Sequence, residues 1–308
     1  MIDIARHAAV GVTVFFVISG FLITNLLLLE ESESGKIHLG AFYVRRAFRI
    51  MPVFLLYVLF IYFWQDFENL GLNKSDFVHA FTFTVNFISI KNWYLGHLWS
   101  LSVEEQFYLM WPVILIFFRK HLKLVLIAFL FYACIARVID YKFPAYRLIS
   151  LSPFFMYADA IVVGALGGLF YFDNPEIVKN KLFNNFWLQL LALAVFLLSI
   201  YCTDYGKLAI IFLPFGNLMV AMSVLFLIFS YIKPQRNFIY KQLNSKAMAH
   251  VGILSYSIYI WQQFFFAGYS KFEWRSFPLN IAIIYPVSLA SYYLWEKPFL
   301  KLRKYLQK

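Results

Sequence analysis

Apolar runs of membrane-crossing length recur along the whole of this 308-residue chain, and they restrict it to one kind of fold. A hydrocarbon core about 30 Å thick is crossed by ~20 apolar residues in helical form. Lipid offers no partners for open backbone groups, so only helices and closed barrels span it. Runs near 10–29, 50–65, 99–118, 122–138, 152–172, 186–203, 207–232, 250–268 and 277–296 exceed the length of a barrel strand. The expected fold is all-α, a polytopic integral membrane helix bundle with about nine spans. Composition agrees: 62% of the chain is hydrophobic, only 14% is charged, and mean hydropathy is +0.69. A further run, 77–91, is interrupted by Thr82, Thr84, Asn86 and Ser89 and leads into a turn at Asn92 to Gly96. It reads as a re-entrant or interfacial segment rather than a span.

Lysines and arginines orient the bundle, because cytoplasmic loops hold the excess of both. With nine spans and the N-terminus outside, the inner side collects Lys36, Arg45, Arg46 and Arg49; Arg119, Lys120 and Lys123; Lys179 and Lys181; Lys233, Arg236, Lys241 and Lys246; and Lys297, Lys301, Arg303, Lys304 and Lys308. These are 18 of the 27 basic residues. Arg6, Lys74, Lys91, Arg137, Lys142, Arg147, Lys207, Lys271 and Arg275 fall outside. Counting 77–91 as a tenth span would reverse every later loop and erase the bias. The C-terminus is therefore expected in the cytoplasm. The net charge of +11 follows from this topology and from anionic inner-leaflet lipid, and gives no support to nucleic-acid binding. The two cysteines, Cys134 and Cys202, lie in expected spans, so neither a disulfide framework nor a metal site is suggested. With no soluble domain, linker or long repeat in view, residues 1–308 read as one membrane domain.

Four polar constellations stand out against this background. The first runs from Gly96 to Pro112, where His97, Glu104, Glu105 and Gln106 open a stretch otherwise suited to lipid. On a helix starting near Leu98, Leu101, Glu104 and Tyr108 share one stripe, while Glu105 lies about 100° around the axis. A His and a carboxylate within reach of one another can deprotonate a hydroxyl; the alternative is a hydrogen-bonded knot that orders the bundle. The second is Arg45, Arg46 and Arg49, a cationic fork at the inner surface that suits phosphates or simply anchors the membrane edge. In the third, Ser19 and Gly20 sit midway along a span, where they allow close helix packing or make room for a narrow cofactor arm. The fourth places Ser255, Tyr259 and Gln262 along one helical face, either a pocket lining of sugar size or part of an aromatic belt.

Together these strings resemble the membrane acyltransferase 3 family. Gly11-Val-Thr-Val-Phe-Phe-Val-Ile-Ser-Gly-Phe is similar to the family's first glycine-rich helix motif. Arg45 to Pro52 resembles its Arg-Arg-x-x-Arg-Ile-x-Pro element, and His97 to Pro112 resembles its Trp-Ser-Leu-x-x-Glu-Glu-Gln-Phe-Tyr-x-x-Trp-Pro helix. Ser255 to Gln263 and Glu296 to Pro298 fit its closing signatures. The resemblance implies transfer of an acyl group, most often acetyl, from cytoplasmic acyl-CoA to a hydroxyl of an extracytoplasmic carbohydrate or related acceptor across the bacterial inner membrane. It implies no permanently bound cofactor. Arg45, Arg46 and Arg49 would meet the coenzyme's phosphates, and Ser19 and Gly20 would line the acyl path. His97, Glu104 and Glu105 would carry the chemistry, while Trp99, Tyr108, Ser255, Tyr259 and Gln262 would shape the substrate pocket.

One departure is visible. The family carries an additional first helix in which an Arg is followed eleven positions later by a His implicated in catalysis, and no such pair occurs here. His7 lies only four residues before Gly11 and is not its equivalent. The expectation is a chain truncated at its N-terminus relative to the family. The alternative reading is an inactive paralogue or a carrier of lipid-linked sugars.

Overall fold

The computed structural model describes residues 4–149, 151–234, 237–267 and 272–306, with the side chains of 4–9, 204 and 304–306 outside the description. His7 and Arg6 therefore fall outside the described side chains. The described residues are mostly helical, with α1 (Ile4–Ser34), α2 (Leu39–Glu68), α3 (Lys74–Phe81), α4 (Trp93–Gly96), α5 (Leu98–Phe117), α6 (Leu122–Lys142), α7 (Ser152–Asp173), α8 (Phe186–Asp204), α9 (Ala209–Tyr231), α10 (Phe238–Leu243), α11 (Lys246–Phe265), α12 (Leu279–Ala290) and α13 (Lys297–Leu306). A π-helical segment, Ser291–Glu296, joins α12 to α13. No strand occurs among the described residues. The fold is the expected all-α membrane architecture.

Six helices among the described residues are long and apolar enough to cross a membrane: Val10–Ser34, Leu39–Glu68, Arg119–Lys142, Ser152–Asp173, Phe186–Thr203 and Ala209–Tyr231. The remaining three expected spans are also helical but are not among those six. Two of them, in α5 and α11, carry polar side chains through their middles. The third, 277–296, is divided between α12 and the π-segment. The 77–91 run does not form one helix; it breaks after α3 at Thr82 and resumes only as a single 3₁₀ turn, Val85–Phe87. Thr82 sends its hydroxyl back to the Val78 carbonyl and Phe83 takes a positive φ of 52°, which stops propagation.

The helices gather into two compact units, 1–37 with 103–235, and 38–102 with 236–308. The division falls within α5, between Ser102 and Val103. In the first unit α1 and α7 form the closest pair. A Cβ added at Gly20 would sit 2.0 Å from the Ile161 carbonyl oxygen, and one at Gly164 2.1 Å from that of Val17. Gly164 and Gly168 make a small-x-x-x-small face on α7 that lets the two backbones meet. Helices α6 and α9 pack against this pair, and α8 packs on α9. In the second unit α2 packs against α11, α13 and the π-segment. Pro52 interrupts the hydrogen-bond ladder of α2, and the neighbouring carbonyls take side-chain donors: Tyr256 OH bonds Ile50 O at 2.8 Å, and Trp295 Nε1 bonds Pro52 O at 2.7 Å.

Candidate functional site

Within the first unit, the stripe expected on α5 forms. Glu104 and Tyr108 lie one turn apart, and the Tyr108 hydroxyl donates to Glu104 Oε1 in a short contact. Ser19, halfway along α1, donates to the same oxygen at 2.9 Å and also lies in short contact with the Tyr108 hydroxyl. All three side chains are buried. A carboxylate oxygen that collects hydroxyl donors in a sealed apolar setting is a strong hydrogen-bond acceptor and a place to receive a proton. Glu105, around the axis as expected, is only half-buried, as is Gln106. Gly20, expected beside a cofactor arm, has its open face filled by the Ile161 carbonyl and serves helix contact instead.

The same unit holds a polar network that the sequence reading missed. Arg137, counted there as an outer-loop charge, is buried in α6 and forms an ion pair with Asp159 in the middle of α7. Arg137 also donates to the carbonyls of Pro214 at 2.9 Å and Met156 at 2.6 Å. Asn217 Nδ2 bonds Asp159 Oδ1 at 2.6 Å, and Thr13 Oγ1 donates to Asn217 Oδ1 at 3.0 Å, so four helices share one hydrogen-bonded cluster. Each hydrogen-bonding atom that the pair presents to this cluster has a partner, which is what a charge pair in an apolar interior requires. The signal was present in the sequence: an Asp within one expected span and an Arg at the edge of the previous one.

In the second unit, His97 sits immediately before α5 with 8% of its surface exposed. Its Nε2 lies 3.2 Å from the Ile260 carbonyl oxygen; since a carbonyl only accepts, that nitrogen carries the proton. Nδ1 is then a bare lone pair, sealed from solvent and without a hydrogen-bond partner. Tyr57 meets the imidazole edge-on at 5.4 Å and Tyr259 tilts against it at the same separation. The Tyr259 hydroxyl donates to the His97 carbonyl at 2.6 Å and is bonded to Ser100 Oγ at 2.6 Å. Burial pushes the imidazole pKa down to about 3, so the ring is neutral. It accepts a hydrogen bond readily and a full proton poorly.

The other residues singled out in the second unit are distributed over α2, α5 and α11. Arg49 forms an ion pair with the fully buried Glu296, which also accepts from Ser257 at 3.1 Å. One arm of the expected phosphate fork is thereby committed within the protein. Arg45 and Arg46 are half-buried on α2, Arg46 over the Phe42 ring. Ser255 faces outward and bonds its own helix at Gly252 O, Gln262 and Trp99 are half-buried, and only Tyr259 of the expected α11 face reaches the histidine. The unit contains a cleft of about 730 Å³ between the end of α2, the start of α4 and the residues Ala267 and Phe272. None of Trp99, Ser255, Tyr259 or Gln262 lines it.

A polytopic helical membrane fold carrying a buried carboxylate–hydroxyl cluster places the chain in a recognisable class. The acyltransferase-3 family model, described as an acyltransferase domain, matches residues 4–295, and the chain belongs to that family. Among curated proteins it is 32% identical over 138 residues to the peptidoglycan O-acetyltransferase OatA of Listeria monocytogenes, covering 39% of this chain and 21% of that protein. It is 28% identical over 279 residues to the "Putative O-acetyltransferase SACOL0978" of Staphylococcus aureus, covering 82% of this chain and 45% of the relative. It is 26% identical over 288 residues to the "Putative peptidoglycan O-acetyltransferase YrhL" of Bacillus subtilis, covering 83% and 44%. The chain thus spans less than half the length of each of these relatives. No solved structure gives a significant match.

Proposed function

We propose that this chain performs O-acyl transfer in a bacterial cytoplasmic membrane, moving an acetyl group from cytoplasmic acyl-CoA to a hydroxyl of an extracytoplasmic glycan of the peptidoglycan type. The observation that carries the reading is the sealed Ser19–Glu104–Tyr108 cluster, built by the two helices whose motifs identify the family. Acetyl and a cell-wall acceptor are favoured by the names of the relatives.

In this reaction the acceptor oxygen attacks the thioester carbonyl carbon. A C–O ester bond forms, the C–S bond breaks, the hydroxyl proton passes to a base, and the coenzyme leaves as a thiol after taking up a proton. Glu104 is the group suited to hold that proton, exchanging one of its present hydroxyl donors for the acceptor's. Tyr108 and Ser19 fix the carboxylate's orientation. His97, neutral and weakly basic, suits orientation of a hydroxyl through its bare Nδ1 rather than proton removal. On the donor side Arg45 and Arg46 are the phosphate-binding candidates, because Arg49 already neutralises Glu296.

Membranes containing the chain and radiolabelled acetyl-CoA test this directly. Glu104→Gln should lower label transfer on the order of 10²-fold or more at equal protein level, and wild-type turnover in that variant would remove Glu104 from the chemistry. Arg45→Ala combined with Arg46→Ala should raise the KM for acyl-CoA about tenfold while kcat is largely kept. Unaltered donor affinity in the purified double variant would assign both arginines to membrane anchoring.

A further inference from the structure

We infer that the cleft of the second unit is a saccharide-binding site that seats the acceptor, with Asp66 and Glu68 as its hydrogen-bonding wall and Phe67 and Trp93 as its stacking surfaces. Its role in catalysis rests on the acyl-transfer reading; its ligand class rests on the cleft itself. The cleft holds about 730 Å³, room for one or two sugar rings with water. Its lining alternates carboxylates and amides with aromatic rings, the mixture that recognises a molecule with hydroxyls around its rim and C–H bonds on its faces.

Three observations favour a hydroxyl-rich ligand over a cation or an apolar one. First, the charge of Glu68 is already answered. Its Oε2 accepts from Arg275 at 2.6 Å, and that guanidinium is 1% exposed and lies 3.9 Å from the centre of the Phe264 ring. The other oxygen, Glu68 Oε1, is sealed from solvent with no hydrogen-bond donor. A buried carboxylate oxygen without a donor is costly, and a small turn of this side chain, which is 11% exposed, toward a ligand hydroxyl would supply what it lacks. Second, Phe67 is 70% exposed and Trp93 37% exposed on the cleft wall, flat apolar surfaces left uncovered by the protein where a sugar face can lie. Third, the wall residues come from the end of α2, the residues just after it, the start of α4 and the positions Ala267 and Phe272, the end of the bundle that the lysine and arginine distribution assigns to the outer side. The short helix that presents Trp93 and Tyr94 ends on His97, and Tyr57, whose ring meets the imidazole, bonds the Tyr94 carbonyl at 2.7 Å. The cleft wall and the histidine are therefore mechanically continuous.

Binding of chitotetraose, a soluble oligomer of N-acetylglucosamine, to the detergent-solubilised full chain provides the test, read by calorimetry or intrinsic fluorescence. The wild type should bind saturably, and Phe67→Ala and Asp66→Asn should each weaken binding about tenfold. Both side chains are exposed, so both variants should keep the wild-type melting temperature. Absence of saturable binding by the wild type, or equal affinity in both variants, would overturn the assignment. Label transfer from acetyl-CoA measured on the same samples separates the two claims. Binding that is lost in the variants, in a chain that transfers nothing, leaves the saccharide site standing without the acyl-transfer reading. Transfer at wild-type acceptor KM in both variants rejects the site and keeps the reaction.

Discussion

Burial sets the chemistry of His97 before any ligand arrives. The unfolded chain binds a proton at this ring near the ordinary value of 6.5, whereas the folded chain holds it down to about 3. Between those values the unfolded state carries the extra proton, so this residue's contribution to stability is complete above about pH 6.5 and is lost progressively as the pH falls toward 3. Melting temperatures of the solubilised protein should therefore decline through that window, and His97→Gln should flatten the part due to this residue. A decline that His97→Gln leaves untouched would show that the ring takes up its proton inside the fold. At this scale the sequence was informative wherever spacing alone decides proximity. Glu104 and Tyr108 meet because they are one helical turn apart. It was silent where proximity depends on tertiary packing: nothing in the chain marks Ser19 as the second donor to Glu104, or Glu296 as the ion-pair partner of Arg49.

Helices α1 and α7 show how far element packing here depends on the absence of side chains. Gly164→Ala would push a methyl group to 2.1 Å from a backbone carbonyl that cannot swing aside. The expected cost is about 1–3 kcal/mol, measured as a lowered melting temperature in detergent. Gly11→Ala lies on the same α1 with nothing within 4 Å of the added atom and should be neutral or slightly stabilising. Equal effects from the two would mean that the close approach is not maintained. Hydropathy located most of these elements well, because a helix in lipid must be apolar over a fixed length. It located 277–296 as one smooth span and could not anticipate its π-helical stretch. A π-turn changes the hydrogen-bond register without changing composition, and here it closes on the buried Glu296.

For the whole molecule, the topology proposed from the lysine and arginine distribution meets two residues that the fold places inside the protein. Arg137 and Arg275, both counted as outer basic residues, are buried and paired with Asp159 and Glu68. In a background lacking Cys134 and Cys202, a cysteine at Asp66 should react with a membrane-impermeant thiol reagent in intact cells, and one at Lys241 only after permeabilisation. The opposite pattern would invert the bundle and, with it, the side on which donor and acceptor are met.

The Arg137–Asp159 pair has a consequence for how the chain is made. Helix α6 leaves the ribosome first, carrying a guanidinium, and its carboxylate partner emerges only with the middle of α7, ~20 residues later. Neither segment can move sideways into lipid at low cost until the other is present. Release of α6 and α7 together, as a hairpin already joined by its ion pair, is the route that spares both charges an unpaired stay in lipid.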